Sequence, residues 1–257
     1  MKYSIVSKKD SKSFHVEQRL IKMFRAYGWT YDDIYPSLVI CVGGDGTLLY
    51  AVNQYIDIIN EVQFVGIHTG TLGFFTDYTE DEIEECVRDI LNKKPHIDSY
   101  SLLEIQLDNK EKSLYALNEM RVENVVKSQI LDIYIDDEFF ETSRGSGVCI
   151  CTQPGSTAYN RSLRGAVIDP GMEMMQLTEI TPIQHSKHRS LGVPYIMMKN
   201  RRIRMTSDTF DTAMLCYDHK HVSLKHTKEI ICTLSDKKVN FARYREYSYL
   251  KRLKNLY

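Results

Sequence analysis

The sequence predicts an α/β N-terminal domain, doubly wound around a mostly parallel sheet, followed by a β-rich, antiparallel sandwich-like C-terminal domain. Three observations carry this. Short apolar runs at 37–42 and 62–67 break directly into glycine-rich turns, and amphipathic helical patterns lie between successive runs. Beyond Pro95 the helical period gives way to alternation of apolar and polar residues. The implied division is 1–96 for the α/β domain and 97–257 for the β-rich one, with the last strand or tail able to return to the first.

Taken in order, Tyr3 to Ser7 reads as a strand. Ser11 to Tyr27 places Val16, Leu20, Met23, Phe24 and Tyr27 on one helical stripe, and Gly28 suits the position after the cap. Ser37 to Val42 is almost wholly apolar, as a strand covered on both faces must be. It runs into Gly43-Gly44-Asp45-Gly46-Thr47, after which Leu48 to Ile58 has helical composition. Val62 to Ile67 is a second buried strand and leads into His68-Thr69-Gly70-Thr71-Leu72-Gly73-Phe74. Thr79 and Glu82 form a capping box for a helix whose stripe is Ile83, Cys86, Val87, Ile90 and Leu91. In the second half, Leu103/Ile105/Leu107, Leu131/Ile133/Ile135 and Val148/Ile150/Thr152 alternate as antiparallel strands. Ile203–Met205, Ala213–Tyr217, Ile230–Leu234 and Val239–Tyr244 are β-rich as well, and Met172 to Glu179 reads as one helical interruption.

With 33 basic and 34 acidic residues among 257, the formal net charge of −1 gives no general pull toward nucleic acid or a membrane surface. The N-terminus has no apolar core or small-residue cleavage site of a signal peptide, and no run approaches the roughly 20 apolar residues of a membrane span. The six cysteines form no C-x-x-C pair and read as buried, reduced thiols of a cytoplasmic protein.

The first glycine turn carries chemistry. A buried strand, then Gly-Gly-Asp-Gly-Thr, then a helix sets backbone N–H groups at a helix N-terminus, where glycines let phosphate oxygens approach. The turn lacks the Gly-Lys-Ser/Thr of a Walker A loop and the spacing of a dinucleotide fingerprint. Its distinguishing element is Asp45. A carboxylate among phosphates can help hold Mg²⁺ or take a proton from an attacking hydroxyl, whereas its plain structural use is to cap the helix.

Gly43 to Thr47 resembles the signature shared by NAD kinases, diacylglycerol and sphingosine-type lipid kinases, and phosphofructokinases. The segments His68 to Phe74, Leu117-Asn118-Glu119 and Pro154 to Ser162 narrow the resemblance to NAD kinases of the compact Gram-positive type. Gly165-Ala166, Met175 to Glu179 and Phe241 to Tyr244 extend it over nearly the whole chain. The resemblance implies transfer of the terminal phosphoryl group of ATP to the 2′-hydroxyl of the adenosine ribose of NAD, giving NADP, with a divalent cation such as Mg²⁺. Asp45 is then the general base, with Gly46 in the phosphate turn and Phe74 beside the adenine or in the core. Asn118 and Glu119 hold ribose hydroxyls and adenine, and Thr157, Ala158, Tyr159, Asn160, Arg161 and Ser162 wrap the dinucleotide. Arg144 and His219 stand where the family places polar contacts to ligand or to a neighbouring subunit. No residue is assigned as a dedicated metal ligand, and a homotetramer is the expected assembly. The superfamily also contains lipid and sugar kinases, but no basic amphipathic stretch near either end suits a lipid surface.

Two departures stand out. Gly145-Ser146-Gly147 replaces the family's usual Gly-Asp-Gly, an acid on the nicotinamide side. Thr181 and the run Ile183-Gln184-His185-Ser186 replace a usual Ala and an Asn-Asn-Arg run. These changes raise the alternative of a catalytically weakened dinucleotide-binding regulatory homologue.

Overall fold

A computed structural model of the chain describes residues 1–70, 72–184 and 189–256, so Thr71, His185 and Ser186 lie outside the described residues. The strands and helices in chain order are β1 (Lys2–Ser7), α1 (Ser11–Ala26), β2 (Thr30–Tyr31), β3 (Leu38–Val42), α2 (Asp45–Gln54), β4 (Gln63–His68), β5 (Tyr78–Thr79) and α3 (Ile83–Asn92). There follow β6 (His96–Leu107), β7 (Leu114–Ala116), β8 (Glu119–Glu123), β9 (Gln129–Ile135), β10 (Glu138–Gly145), β11 (Gly147–Cys151) and α4 (Tyr159–Ser162). The remainder is β12 (Met174–Ile180), β13 (Tyr195–Met198), β14 (Arg202–Thr206), β15 (Met214–Tyr217), β16 (Lys220–Ser223), β17 (Glu229–Arg243) and α5 (Tyr249–Lys254). The chain divides into two compact units, one of Met1–Ser99 with Lys237–Tyr257, the other of Tyr100–Asp236.

In the first unit β4, β3, β1 and β2 lie side by side in that order, and every pairing is parallel. All five residues of β3 are buried, which explains its unbroken apolar run. Helix α1 buries Val16, Leu20 and Phe24, and α3 buries Ile83, Cys86, Val87 and Ile90, in one core with Leu38, Ile40 and Val42. The Thr79–Glu82 capping box is present, with Glu82 Oε2 accepting the Thr79 N–H at 2.8 Å. Tyr27 does not extend the α1 stripe: it caps the helix and is exposed, while the Trp29 ring lies 5.0 Å from that of Phe24. Chain order reverses between β1 and β3, so their C-terminal ends form a topological switch point, where open α/β sheets bind ligands.

The second unit is antiparallel throughout its described pairings. One sheet runs β13-β12-β11-β8-β15-β16, and β10, β9, β14 and the first part of β17 form the other ladder. Side chains from both, such as Leu103, Ile133, Ile203 and Ile230 against Met120, Val122, Ile150, Leu177 and Leu215, meet in one core, a sandwich. The expected helix at Met172–Glu179 is instead β12, between β11 and β13. Its Met, Gln, Leu and Glu are good helix formers, but cross-strand partners on both sides override that preference. The helical turn falls earlier, at α4.

The two strands expected at Ile230–Leu234 and Val239–Tyr244 are one 15-residue strand, β17. Its residues 229–233 pair with β14, and Asn240 and Phe241 pair in parallel with β4. The chain then closes the first unit with α5, capped by Ser248 accepting the Lys251 N–H. Among the described residues no helix is long and apolar enough to cross a membrane.

Candidate active site

One candidate region lies at the switch point of the first unit. Gly43 has φ +152°, and a Cβ there would lie 2.2 Å from Thr47 Oγ1. The turn therefore closes only with glycine at that position. Gly44 is the N-cap of α2 and offers no capping side chain, while the Cβ directions of Gly44 and Gly46 point into open space. The first-turn N–H groups of a helix have no partners in their own ladder. In α2 the Thr47 N–H turns back to the Gly44 carbonyl at 3.0 Å, and this end of the helix borders a cavity of about 590 Å³ lined by Ser7, Lys8 and Lys9 after β1, by Gly44, Gly46, Thr47 and Tyr50, and by Thr69 and Gly70. Glycine amides, a helix dipole and Lys9 suit an anion here, while Lys8 is already paired with Asp10 at 3.0 Å. Sequence pattern alone does not single out these lysines. Their only signal is their place directly after a strand.

Asp45 is not the helix cap. Its carboxylate reaches the second glycine segment, where Oδ2 accepts the Phe74 N–H at 2.9 Å and Oδ1 the Phe75 N–H at 3.1 Å. Gly73 permits this approach, since a Cβ there would fall 2.2–2.6 Å from the three carboxylate atoms. The two glycine segments thus form one structure. Phe74 contributes its amide, and its ring lies 5.9 Å from that of Tyr249.

A separate candidate region lies in the other unit, at the start of β8. Asp218 takes a left-handed φ of +47° in the β15–β16 turn, and its carboxylate accepts the Leu117 and Asn118 N–H groups, each at 2.8 Å. Thr152 N–H donates to the Asn118 carbonyl at 2.9 Å, and Gly155 packs so close that a Cβ would lie 1.9 Å from that oxygen. Two distant segments, the Asp218 turn and the 152–155 stretch, therefore fix the backbone at Asn118. The side chains differ: Asn118 Oδ1 and Glu119 Oε2 are buried without a hydrogen-bond partner. Burial, with the nearby Asp218 charge, pushes the Glu119 carboxyl up to about 7, partly offset by Arg121 and the Tyr159 N–H. Burial likewise raises Asp218 to about 6 despite the backbone N–H groups it accepts. Asp218 is a site residue that sequence reasoning misses; nothing marks it beyond its adjacency to His219.

The Pro154–Ser162 segment is divided in its roles. Tyr159 donates its hydroxyl to Glu123 Oε1 at 2.9 Å, and the Arg121 guanidinium carbon lies 4.0 Å from its ring centroid. Thr157 is buried and donates to the Pro154 carbonyl at 3.1 Å, and Ala158 is half-buried. Asn160 is enclosed: Thr178 donates to its Oδ1 at 2.8 Å, and Gly165 lies against its amide. Its amide is thus engaged within the fold, whereas Arg161, Ser162 and His219 are exposed. Burial and Lys220 hold the His219 imidazole below its ordinary range. Arg144 sits on β10 with its Nε buried and unpartnered, beside a turn in which its carbonyl accepts the Ile183 N–H at 2.7 Å. Ser146 links two strands through its backbone, to Ile180 and Asn124. Asp45, Gly46 and Phe74 are thus brought together in one unit, and Asn118, Glu119 and Tyr159 in the other, while Thr157 bonds within its own turn.

Among the described residues no group of three or more His, Cys, Asp and Glu side chains is arranged to hold a metal ion. Mg²⁺ is commonly bound by one or two carboxylates together with substrate phosphates. A single carboxylate flanked by anion-binding glycines, as at Asp45, fits that mode of binding.

Comparison with known proteins agrees with this architecture. Residues 10–95 match the model of the ATP-NAD kinase N-terminal domain, and 117–244 that of the ATP-NAD kinase C-terminal domain. The chain is 38% identical over 259 residues to the NAD kinase of Staphylococcus aureus (strain JH9), covering 98% of this chain and 96% of that protein. The crystal structure of yeast NADH kinase complexed with NADH superposes with a TM-score of 0.84 at 19% identity, over 100% of this chain and 87% of that one. An NAD kinase from Archaeoglobus fulgidus in complex with ATP gives 0.78 at 22% identity, over 100% and 97%.

Proposed function

The chain belongs to the NAD kinase family, and from that premise we propose that it transfers the terminal phosphoryl group of ATP to the 2′-hydroxyl of the adenosine ribose of NAD, with Asp45 as general base. One observation carries the reading. The Asp45 carboxylate is held by two backbone N–H groups, between two glycines that line a lysine-bearing cavity.

A carboxylate has about four lone-pair positions, and two N–H bonds leave capacity for a substrate proton. A ribose hydroxyl is a weak nucleophile, so a base within hydrogen-bond reach lowers the barrier as the phosphoryl group arrives. The α2 N-terminus with Gly44, Gly46 and Lys9 supplies fixed positive potential for the phosphates. Bound Mg²⁺ supplies further charge neutralisation on the phosphates, with Asp45 the side chain placed to help hold it. Asn118 Oδ1 and Glu119 Oε2, buried acceptors lacking donors, suit the hydroxyls and exocyclic amine of an adenosine. The same reading carries a cytoplasmic homotetramer, and sedimentation of the purified protein checks its assembly state.

The experiment is NADP formation from ATP, Mg²⁺ and NAD by wild type and Asp45→Asn. We expect kcat to fall about 10²–10⁴-fold, the range of general-base removal, while KM for NAD stays within about threefold. A variant that keeps most of its turnover removes Asp45 from the base role.

A further inference from the structure

The Phe74–Asp77 stretch that holds Asp45 is itself gripped from behind by the C-terminal segment of the same unit. The peptide joining Phe74 to Phe75 is engaged at both ends. Its N–H donates to Asp45 Oδ1 at 3.1 Å, and its carbonyl accepts the Tyr247 hydroxyl at 3.1 Å. A peptide unit is planar and trans, so fixing the direction of its C=O fixes that of its N–H. The same hydrogen bond polarises the unit and strengthens the N–H as a donor.

The tyrosine is held in turn. Its ring lies 4.2 Å from the Arg243 guanidinium carbon and 4.3 Å from that of Arg252. Both arginines are buried, and both bind Asp77, Arg243 at 2.8 Å and Arg252 at 2.9 Å. Arg252 also donates to the Thr76 carbonyl at 2.6 Å, and the next amide, Asp77 N–H, donates to the Gly66 carbonyl on β4 at 2.9 Å. Phe75 stacks on Phe241 of β17 at 5.0 Å. The Asp45 charge is also among those that act on Arg252. Every element here serves to hold one short loop, and that loop's amides face the carboxylate.

We propose that Tyr247, clamped between Arg243 and Arg252, is a positioning residue for Asp45 that acts through the Phe74–Phe75 peptide plane. This rests on Asp45 being the base and adds a distant control on its orientation. Tyr247→Phe is the decisive variant, since it keeps the ring and its two cationic neighbours and deletes only the hydroxyl. In the full-length protein, kcat for NADP formation should fall about three- to tenfold, the factor set by one hydrogen bond. KM for NAD and ATP should stay within about twofold, and Tm within a few degrees. The Phe75 amide should exchange its proton faster in deuterated buffer, while amides of β3 and β4 keep wild-type protection.

Arg252→Met frees the ring and should lower kcat further, and Arg252→Lys should recover part of the loss. If Tyr247→Phe turns over like wild type, or loses kcat with unaltered Phe75 exchange, the proposal fails. Asp45→Asn assayed alongside separates the two ideas. Retained turnover there overturns the base assignment, whereas its loss beside a fully active Tyr247→Phe overturns only the positioning role.

Discussion

The two candidate regions, one in each unit, are built on opposite principles. At Asp45 both carboxylate oxygens accept backbone N–H groups, and the loop that supplies them is anchored by two arginines and a tyrosine. At Asn118 and Glu119 the backbone is just as firmly held, but two buried acceptor atoms, Asn118 Oδ1 and Glu119 Oε2, have no donor. A satisfied carboxylate keeps its direction, which is what a base must do. An unsatisfied buried acceptor costs about 1–3 kcal/mol until a donor arrives, and a ligand that supplied the donor would recover that cost.

The sharpest way to break this contrast is Gly73→Ala. Its Cβ would occupy the space of the Asp45 carboxylate, so the acid must turn away. Misplacement on the scale of an ångström costs about 10²-fold in rate, and we expect a kcat loss of that size with NAD affinity retained. Steady-state kinetics and calorimetry on one preparation check both halves of that statement.

Glu119→Gln tests the other region. Replacing a charged acceptor by a neutral one should weaken NAD binding about tenfold or more, read by calorimetry. In the wild type, the Glu119 carboxyl at about 7 is mostly neutral at pH 6 and mostly ionised at pH 8. NAD affinity should therefore fall by about tenfold between pH 8 and pH 6. Stability moves the opposite way. A carboxyl raised in the folded state keeps a proton that the unfolded chain has released, so native stability is lost as pH rises from the unfolded value through about 7. The Tm of Glu119→Gln minus that of wild type should grow as pH rises from about 5 to 8; a flat difference would show that burial at Glu119 carries no such penalty.

The smallest effect is expected at Ser146, where the family usually has an acid. Ser146→Asp restores the acid that the family resemblance assigns to the nicotinamide side, and if Ser146 holds that place should raise the preference for NAD over NADH, as the ratio of kcat/KM, by a few-fold. An unchanged ratio would detach this position from the nicotinamide.

How much of this is legible in the sequence follows from the range of each interaction. The buried run of β3, the capping box before α3 and the glycine turn are set by neighbours in sequence, and each stands where its pattern indicates. β12 reads wrongly as a helix because Met, Gln, Leu and Glu signal one locally, and only pairing with β11 and β13 decides otherwise. β17 reads as two strands because of the polar stretch Ser235–Lys238, which a strand crosses when its two ends have different partners. Asp45 is legible as an acid within a phosphate turn, but its grip on Phe74 and Phe75 is not. That contact depends on Gly73, whose bare Cα has no meaning until the fold brings it to the carboxylate. Lys8, Lys9, Asp218 and Tyr247 are invisible for the same reason: they are common residues, distinguished only by what lies opposite.

Asp218 has a consequence for the order in which the molecule comes into being. Its carboxylate closes on amides about a hundred positions earlier in the chain, and Thr152 and Gly155 reach the same backbone from a third stretch. Such closures carry a high entropic cost before they return any stabilisation, so they form late in folding and open early in unfolding. On the proposed reading, recognition of the nucleotide therefore requires the second unit to be essentially complete. Occupancy of the clamp should then slow the opening events through which the unit is lost.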